Sequence, residues 1–194
     1  MTQAIPSLDA SRNGLLMVAA GGVVSGILTP LMPPLVDFIG WVPAFFGTAL
    51  VAIPFAILVF ILVWRASANP TWAALLAAIL TMVAFVCAVK AAIYIDGQLQ
   101  VTGVTKAGRN IPAGLAGGFT GTTLMALGMA MLPSGPRDAV AWVPMVLAGT
   151  LLGTLLALDN ALYLDLTLVS VLYPVWQAGV AVALLMALRR MKLP

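Results

Sequence analysis

The sequence predicts an all-α polytopic membrane protein of six transmembrane helices, built as a 3+3 inverted-topology repeat. Composition, the spacing of apolar runs and a recurring helix-entry motif point to it. Of 194 residues, 62% are hydrophobic and 8% charged, and the mean hydropathy is +1.11. A water-soluble domain carries about a quarter charged residues to hydrate its surface. Nine basic and six acidic side chains cannot coat a chain of this length, so the apolar excess faces lipid. A span takes about 20 apolar residues to cross a core of roughly 30 Å. Six spans with short turns fill the chain, and residues 1–194 read as one integral membrane domain.

Span one covers residues 14–37, with Pro30, Pro33 and Pro34 in its last third. Each proline lacks a backbone donor and clashes with the preceding turn, so regular helix is expected to stop near Thr29. Span two covers residues 43–64 and ends at Arg65. Asn69-Pro70 offers an N-cap followed by proline at the first helical position, which opens span three, residues 70–95. Residues 97–110 are the longest polar stretch and are expected to be a solvated connector, with an outer vestibule as the functional alternative. Span four covers residues 111–132, and Pro133-Ser134-Gly135-Pro136 makes a turn. Span five begins near Trp142-Val143-Pro144 and span six covers residues 166–188. Pro54 and Pro174 fall inside spans two and six, as kinks or hinges.

Orientation follows from the basic residues. With the N-terminus inside, Arg12, Arg65, Arg137, Arg189, Arg190 and Lys192 are cytoplasmic and only Lys106 and Arg109 are outside, as the positive-inside bias requires. The first 13 residues carry one arginine and no clear cleavage site, so span one is expected to be a retained anchor. The expected location is a bacterial-type inner membrane, with both termini cytoplasmic.

Two segments repeat. Residues 20–26, Ala-Gly-Gly-Val-Val-Ser-Gly, resemble residues 116–122, Ala-Gly-Gly-Phe-Thr-Gly-Thr. Asp37, Trp41 and Pro43 stand in the same frame as Asp138, Trp142 and Pro144, each Asp followed after three residues by Trp-Val-Pro. Gly-Thr follows in both, at positions 47–48 and 149–150. Tryptophan favours the membrane interface, proline suits the first helical turn, and the aspartate precedes a positive dipole end. Duplication of halves 14–95 and 111–188 accounts for the shared order. With three spans per copy, the second half is upside down relative to the first, as in many transporters.

Enzymatic chemistry finds no residues to carry it. The chain has no histidine and no glutamate, and Cys87 is alone. Histidine bases, His-ligated metals and cysteine clusters are therefore absent, and neither catalysis nor a cofactor is expected. Basic residues sit at span ends rather than in one patch, which argues against nucleic acid.

The expected function is a small transporter or channel for a small solute or ion, with its pathway between the halves near spans one and four. The alternatives are a non-catalytic subunit of a larger membrane complex and a membrane substrate-binding component of a multi-subunit transporter. Partners are the bilayer and either further copies or a larger complex. Candidate pathway or packing residues are Gly22, Gly26, Gly118 and Gly121, whose spacing lets helix backbones approach closely, with Lys90, Asp159 and Asn160. Lys90 and Asp159 fall at similar depth in the outer leaflet, where an unpaired ion is costly. An interior pair is one outcome, and a Lys90 that snorkels to the interface is the other.

Overall fold

Proline and glycine divide the apolar runs into helices. The computed structural model describes residues 8–40, 43–67, 69–132, 135–164 and 169–190, among which there is no strand. Helix α1 (Leu8–Leu28) stops where Pro30 approaches, and a 3-10 turn (Thr29–Leu31) carries that proline. Helix α2 (Met32–Ile39) then takes Pro33 in its first turn and ends on Gly40, whose φ of 78° is the left-handed value glycine supplies at little cost. The regular helix thus ends beside Thr29, as the three prolines require.

The second apolar segment is broken. Helix α3 (Ala44–Leu50) is separated by a short turn from α4 (Ile53–Ala66), and Pro54 sits in the first turn of α4 rather than mid-helix. Helix α5 (Pro70–Val101) opens on Pro70, but Asn69 does not cap it with its side chain; its backbone N–H instead donates to Ser67 Oγ. Helix α6 (Lys106–Met131) is capped by Thr105, which accepts from the Gly108 N–H. The stretch 97–110 is therefore helix at both ends, with only residues 102–105 turning, and the expected connector is corrected to the tips of α5 and α6. Pro112 falls inside α6 for the same reason.

Helix α7 (Val143–Gly153) follows a 3-10 turn (Ala139–Ala141), and α8 (Leu155–Ala161) continues it after Thr154. Helix α9 (Leu172–Arg190) starts later than the expected residue 166, so Pro174 lies in its first turn and is no hinge. Ser134, Asp165 and Lys192 lie outside the described residues.

Four helical segments are long and apolar enough to cross a membrane: Arg12–Phe38, Pro70–Val101, Ala139–Ala161 and Leu172–Arg190. The fifth apolar helix, Ile53–Ala66, has 14 residues. Helix α6 has the length, 26 residues, but its many glycines and threonines dilute its hydropathy. Exposed Trp72 and Tyr94 on α5 stand 22 residues apart, roughly 33 Å at 1.5 Å per residue and close to the thickness of a hydrocarbon core.

Neighbouring helices run antiparallel through small residues. Gly22 and Gly26 of α1 lie against the backbone of Ala178 and Pro174 of α9, while Gly114 and Gly118 of α6 meet Gly153 and Gly149 of α7. Gly117 and Gly121 face Ala88 on α5. At the terminal end of the first pair Gly14 lies beside the Arg189 guanidinium, so the starts and ends of the helical array share one end. Lipid supplies no hydrophobic drive for helix association, and close van der Waals contact takes its place.

Three buried threonine hydroxyls are satisfied by the backbone of the preceding turn. Thr29, Thr81 and Thr122 each donate to the carbonyl four residues back, as polar side chains in an apolar helix must. One interhelical ring joins α1 to α9: Ser25 donates to Gln177 Oε1 at 2.6 Å, Gln177 Nε2 to Thr29 Oγ1 at 2.8 Å, and Thr29 to the Ser25 carbonyl.

The main apolar core occupies one end of the array. Val59, Leu62, Val63, Ala74, Ala77, Met129, Met145 and Leu184 interlock there, at the end shared by the α4–α5 and α6–α7 turns. Trp142 belongs to this core and donates from Nε1 to the Pro136 carbonyl. The other end is not filled.

Candidate functional site

A cavity of about 410 Å³ enters the unfilled end and reaches past the middle of the helices. Helix α6 forms its floor, contributing Gly114, Gly117, Gly118 and Gly121 to the lining, where the lack of side chains lets α5 and α7 close onto its backbone. One wall is α5 from Thr81 to Asp96, and the other combines Leu156 and Asn160 of α8 with Leu172, Tyr173 and Trp176 of α9. The lining of α5 extends over 16 residues, Thr81 to Asp96, roughly 22 Å of depth at 1.5 Å per residue. At the bottom Phe55 meets Trp176 edge-on at 5.8 Å, and Trp176 Nε1 is fixed by the Gly149 carbonyl at 2.9 Å. Phe85 and Tyr173 pack together partway up, their ring centroids 6.3 Å apart.

Charge is confined to the mouth, where Asp96, Lys106 and Arg109 stand together. Arg109 Nε lies 3.1 Å from Asp96 Oδ1, an ion pair by distance, with the arginine side chain 14% exposed. The N–H does not meet that oxygen in hydrogen-bond geometry, so Nε is buried without a hydrogen bond. One turn below, Asn110 is 7% exposed and lines the cavity, and its amide hydrogen-bonds to none of the described residues. A buried polar group without a partner costs on the order of 1–3 kcal/mol. Arg109 Nε is such a group, and the Asn110 amide lines the cavity beside it. No known protein family, curated protein or solved structure matches this chain. The site is therefore argued from its own atoms.

Of the residues singled out by sequence, Gly118, Gly121 and Asn160 line this cavity. Gly22 and Gly26 do not; they are closed against α9. The cavity thus adjoins the fourth apolar segment and not the first, which corrects the expectation of a pathway beside both. Lys90 and Asp159 are not brought together. Lys90 is exposed, whereas Asp159 is buried and accepts from Ser170 Oγ at 2.6 Å and from the backbone N–H groups of Val171 and Leu172 at 2.8 and 3.3 Å. Asp159 is the anion that holds the start of α9, where unsatisfied N–H groups favour negative charge.

The two helix-entry frames differ in their placement. Asp138 accepts from the Val140 N–H and starts the 3-10 turn, and Pro144 lies in the first turn of α7. Asp37 is exposed on α2, and Pro43 precedes α3. Trp41 lies outside the described residues.

Asn110, Arg109, Tyr173 and Trp176 carry no motif. Gln177 had a signal, since an amide in an otherwise apolar membrane helix is presumed to serve packing or function.

Proposed function

We propose that this chain is a small transporter or channel of a bacterial-type inner membrane, with six crossings in a 3+3 inverted repeat and both termini cytoplasmic. The observation that carries the reading is the cavity, with charged side chains at its mouth and a mostly apolar lining below them. A transporter binds its solute near the membrane midplane at the interface of its halves. This cavity has α5 of the first half as one wall and α6, α8 and α9 of the second half as its remaining sides.

The pairing of helices supports the repeat. The first helix of each half packs on the last helix of the other, α1 on α9 and α6 on α5, as a two-fold axis in the membrane plane requires. Gly14 beside Arg189 supports an even number of crossings. In this reading the α3–α4 and α7–α8 pairs are broken spans, each interrupted by a turn that membranes tolerate against protein or water. The positive-inside bias then puts the packed end in the cytoplasm and the cavity mouth outside.

The test is flux from proteoliposomes loaded with a panel of small solutes and ions. Gly118→Leu, which forces α6 from α7 beside the cavity, should abolish flux. Because its side chain would meet the Gly149 carbonyl, Asn110→Leu, placed in open cavity, is measured beside it. If no solute moves and a cysteine at Asn110 is unreachable by water-soluble reagents, the chain is instead a packing subunit of a larger complex.

A further inference from the structure

The polar atoms of the cavity also specify what kind of molecule it takes; this inference rests on the cavity being a ligand site. We infer that the ligand is an uncharged single-chain amphiphile whose head both donates and accepts a hydrogen bond, an alcohol or a primary amide. Two side-chain amides place that head. Gly114 of α6 meets Gly153 and Leu156. One turn toward the mouth, Asn110 on α6 and Asn160 on α8 stand at one level, and both line the cavity. The Asn110 amide is buried, and neither its nitrogen nor its oxygen has a partner among the described residues. Asn160 Nδ2 donates to the Leu156 carbonyl at 3.0 Å, which leaves its Oδ1 as an acceptor. A hydroxyl or carboxamide held there accepts from Asn110 and donates to an amide oxygen, so the desolvated groups on both sides are satisfied.

The neutrality of the head follows from the charges around it. Asp96 and Arg109 compensate each other, Arg109 Nε is sealed from the cavity, and Lys106 is engaged as well. Among the described residues that line the cavity deeper than these, none is charged. Asp159 beside Asn160 turns its carboxylate to the start of α9 instead. A carboxylate or ammonium would exchange its water for neutral partners alone, which costs far more than desolvating an alcohol. The body lies below the two amides, against Ala88, Val89, Ala113 and Leu156. The Thr81 hydroxyl there is donated to the Ala77 carbonyl, and the Trp176 N–H to Gly149. The remaining polar side-chain group is the Tyr173 hydroxyl, whose ring packs against Phe85. Methylene groups therefore gain by leaving water. The volume, about 410 Å³, lies low in the roughly 300–1,000 Å³ range of ligand pockets. At about 30 Å³ per water-sized group it holds on the order of a dozen heavy atoms, one chain of roughly eight to ten carbons with its head.

The experiment is photolabelling of the full chain in lipid nanodiscs with a diazirine-bearing octanol, mapped by peptide mass spectrometry. Labelling of α5 between Thr81 and Asp96 should saturate, and octanamide should protect against it. Octanoate at about pH 9 and octylamine at about pH 7, each charged there, should not protect at equal concentration in the bilayer. Octyl methyl ether, which only accepts, should protect about fivefold less well than octanamide, the weight of one neutral hydrogen bond. Asn110→Leu should erase that preference while a diazirine-bearing octane still labels α5, which separates head recognition from loss of the fold. Asn160→Leu, the second variant, should reduce the preference in the same way. Protection by octanoate or octylamine as effective as by octanamide, or an undiminished preference in either folded variant, overturns the inference. Absence of saturable labelling also overturns it, and leaves the transport reading standing where a small hydrophilic solute crosses proteoliposomes. Saturable, head-selective labelling without flux of anything upholds it and removes that reading.

Discussion

Asp159 shows how one buried charge can be structural. Its carboxylate accepts from one hydroxyl and two backbone N–H groups at the start of α9, so its partners belong to the next helix. Asp159→Asn removes the charge from these hydrogen bonds and should destabilise the protein by about 2 kcal/mol, read as a shift in denaturant or thermal unfolding in detergent. Lys90→Met, on an exposed side chain, should stay within about 0.5 kcal/mol. The double variant should lose the sum of the two, since residues without a shared partner do not couple; recovery in the double variant would restore the ion pair the structure denies. The partners of Asp159 were not legible from chain spacing, because α9 begins at Leu172 and residues 170–172 turn back onto Asp159. Asn110 was legible only as part of a polar run. Thr105 starts α6 ahead of it and turns that run into a helical face.

At the level of the helix, glycine acts by register. Gly118 meets the Gly149 carbonyl, so a methyl at 118 forces α6 from α7; around Gly97 on the same bundle nothing lies within 4 Å. Gly118→Ala should therefore cost stability, while Gly97→Ala should add about 0.5–1 kcal/mol by removing backbone freedom from the unfolded chain. SDS unfolding of the two variants separates them, and equal effects would refute the close approach. Gln177→Leu opens the ring with Ser25 and Thr29. At about 0.6 kcal/mol per interhelical hydrogen bond it should cost roughly 1 kcal/mol, measured the same way. The repeated glycine motifs were legible, but not which helix each faces. Gly22 aligns with Gly118 in sequence, whereas Gly22 lies on α9 and it is Gly117 that lies on α5. One residue rotates a helical position by about 100°, enough to exchange one neighbour for another.

For the whole molecule, composition was sufficient to read helices in lipid, because there is too little charge to hydrate a surface. The long apolar segments stand out where hydropathy is continuous, and the count becomes harder where glycine dilutes α6 or a turn divides α3 from α4. Which helices touch depends on contacts remote in the chain, α1 with α9 above all, and no local pattern encodes those. The topology proposal is checked by single cysteines in a Cys87→Ser background. Positions Asn13 and Arg190 should be labelled only from the cytoplasmic face of sealed cells, and Val104 only from outside. Labelling of Asn13 and Val104 from the same side would refute it.

The distance between mouth and base has an electrical meaning. Asp96 lies two residues beyond Tyr94 on α5, so the mouth sits at the edge of the hydrocarbon, while Thr81, the deepest residue of α5 in the lining, lies roughly 22 Å farther along that helix. A full membrane crossing changes the energy of one charge by about 2.3 kcal/mol per 100 mV. A charged solute resting at the mouth has traversed almost none of that drop, and its occupancy should not respond to voltage. One carried to the level of Thr81 would have traversed most of it, and the same measurement would then read the depth at which the charge comes to rest.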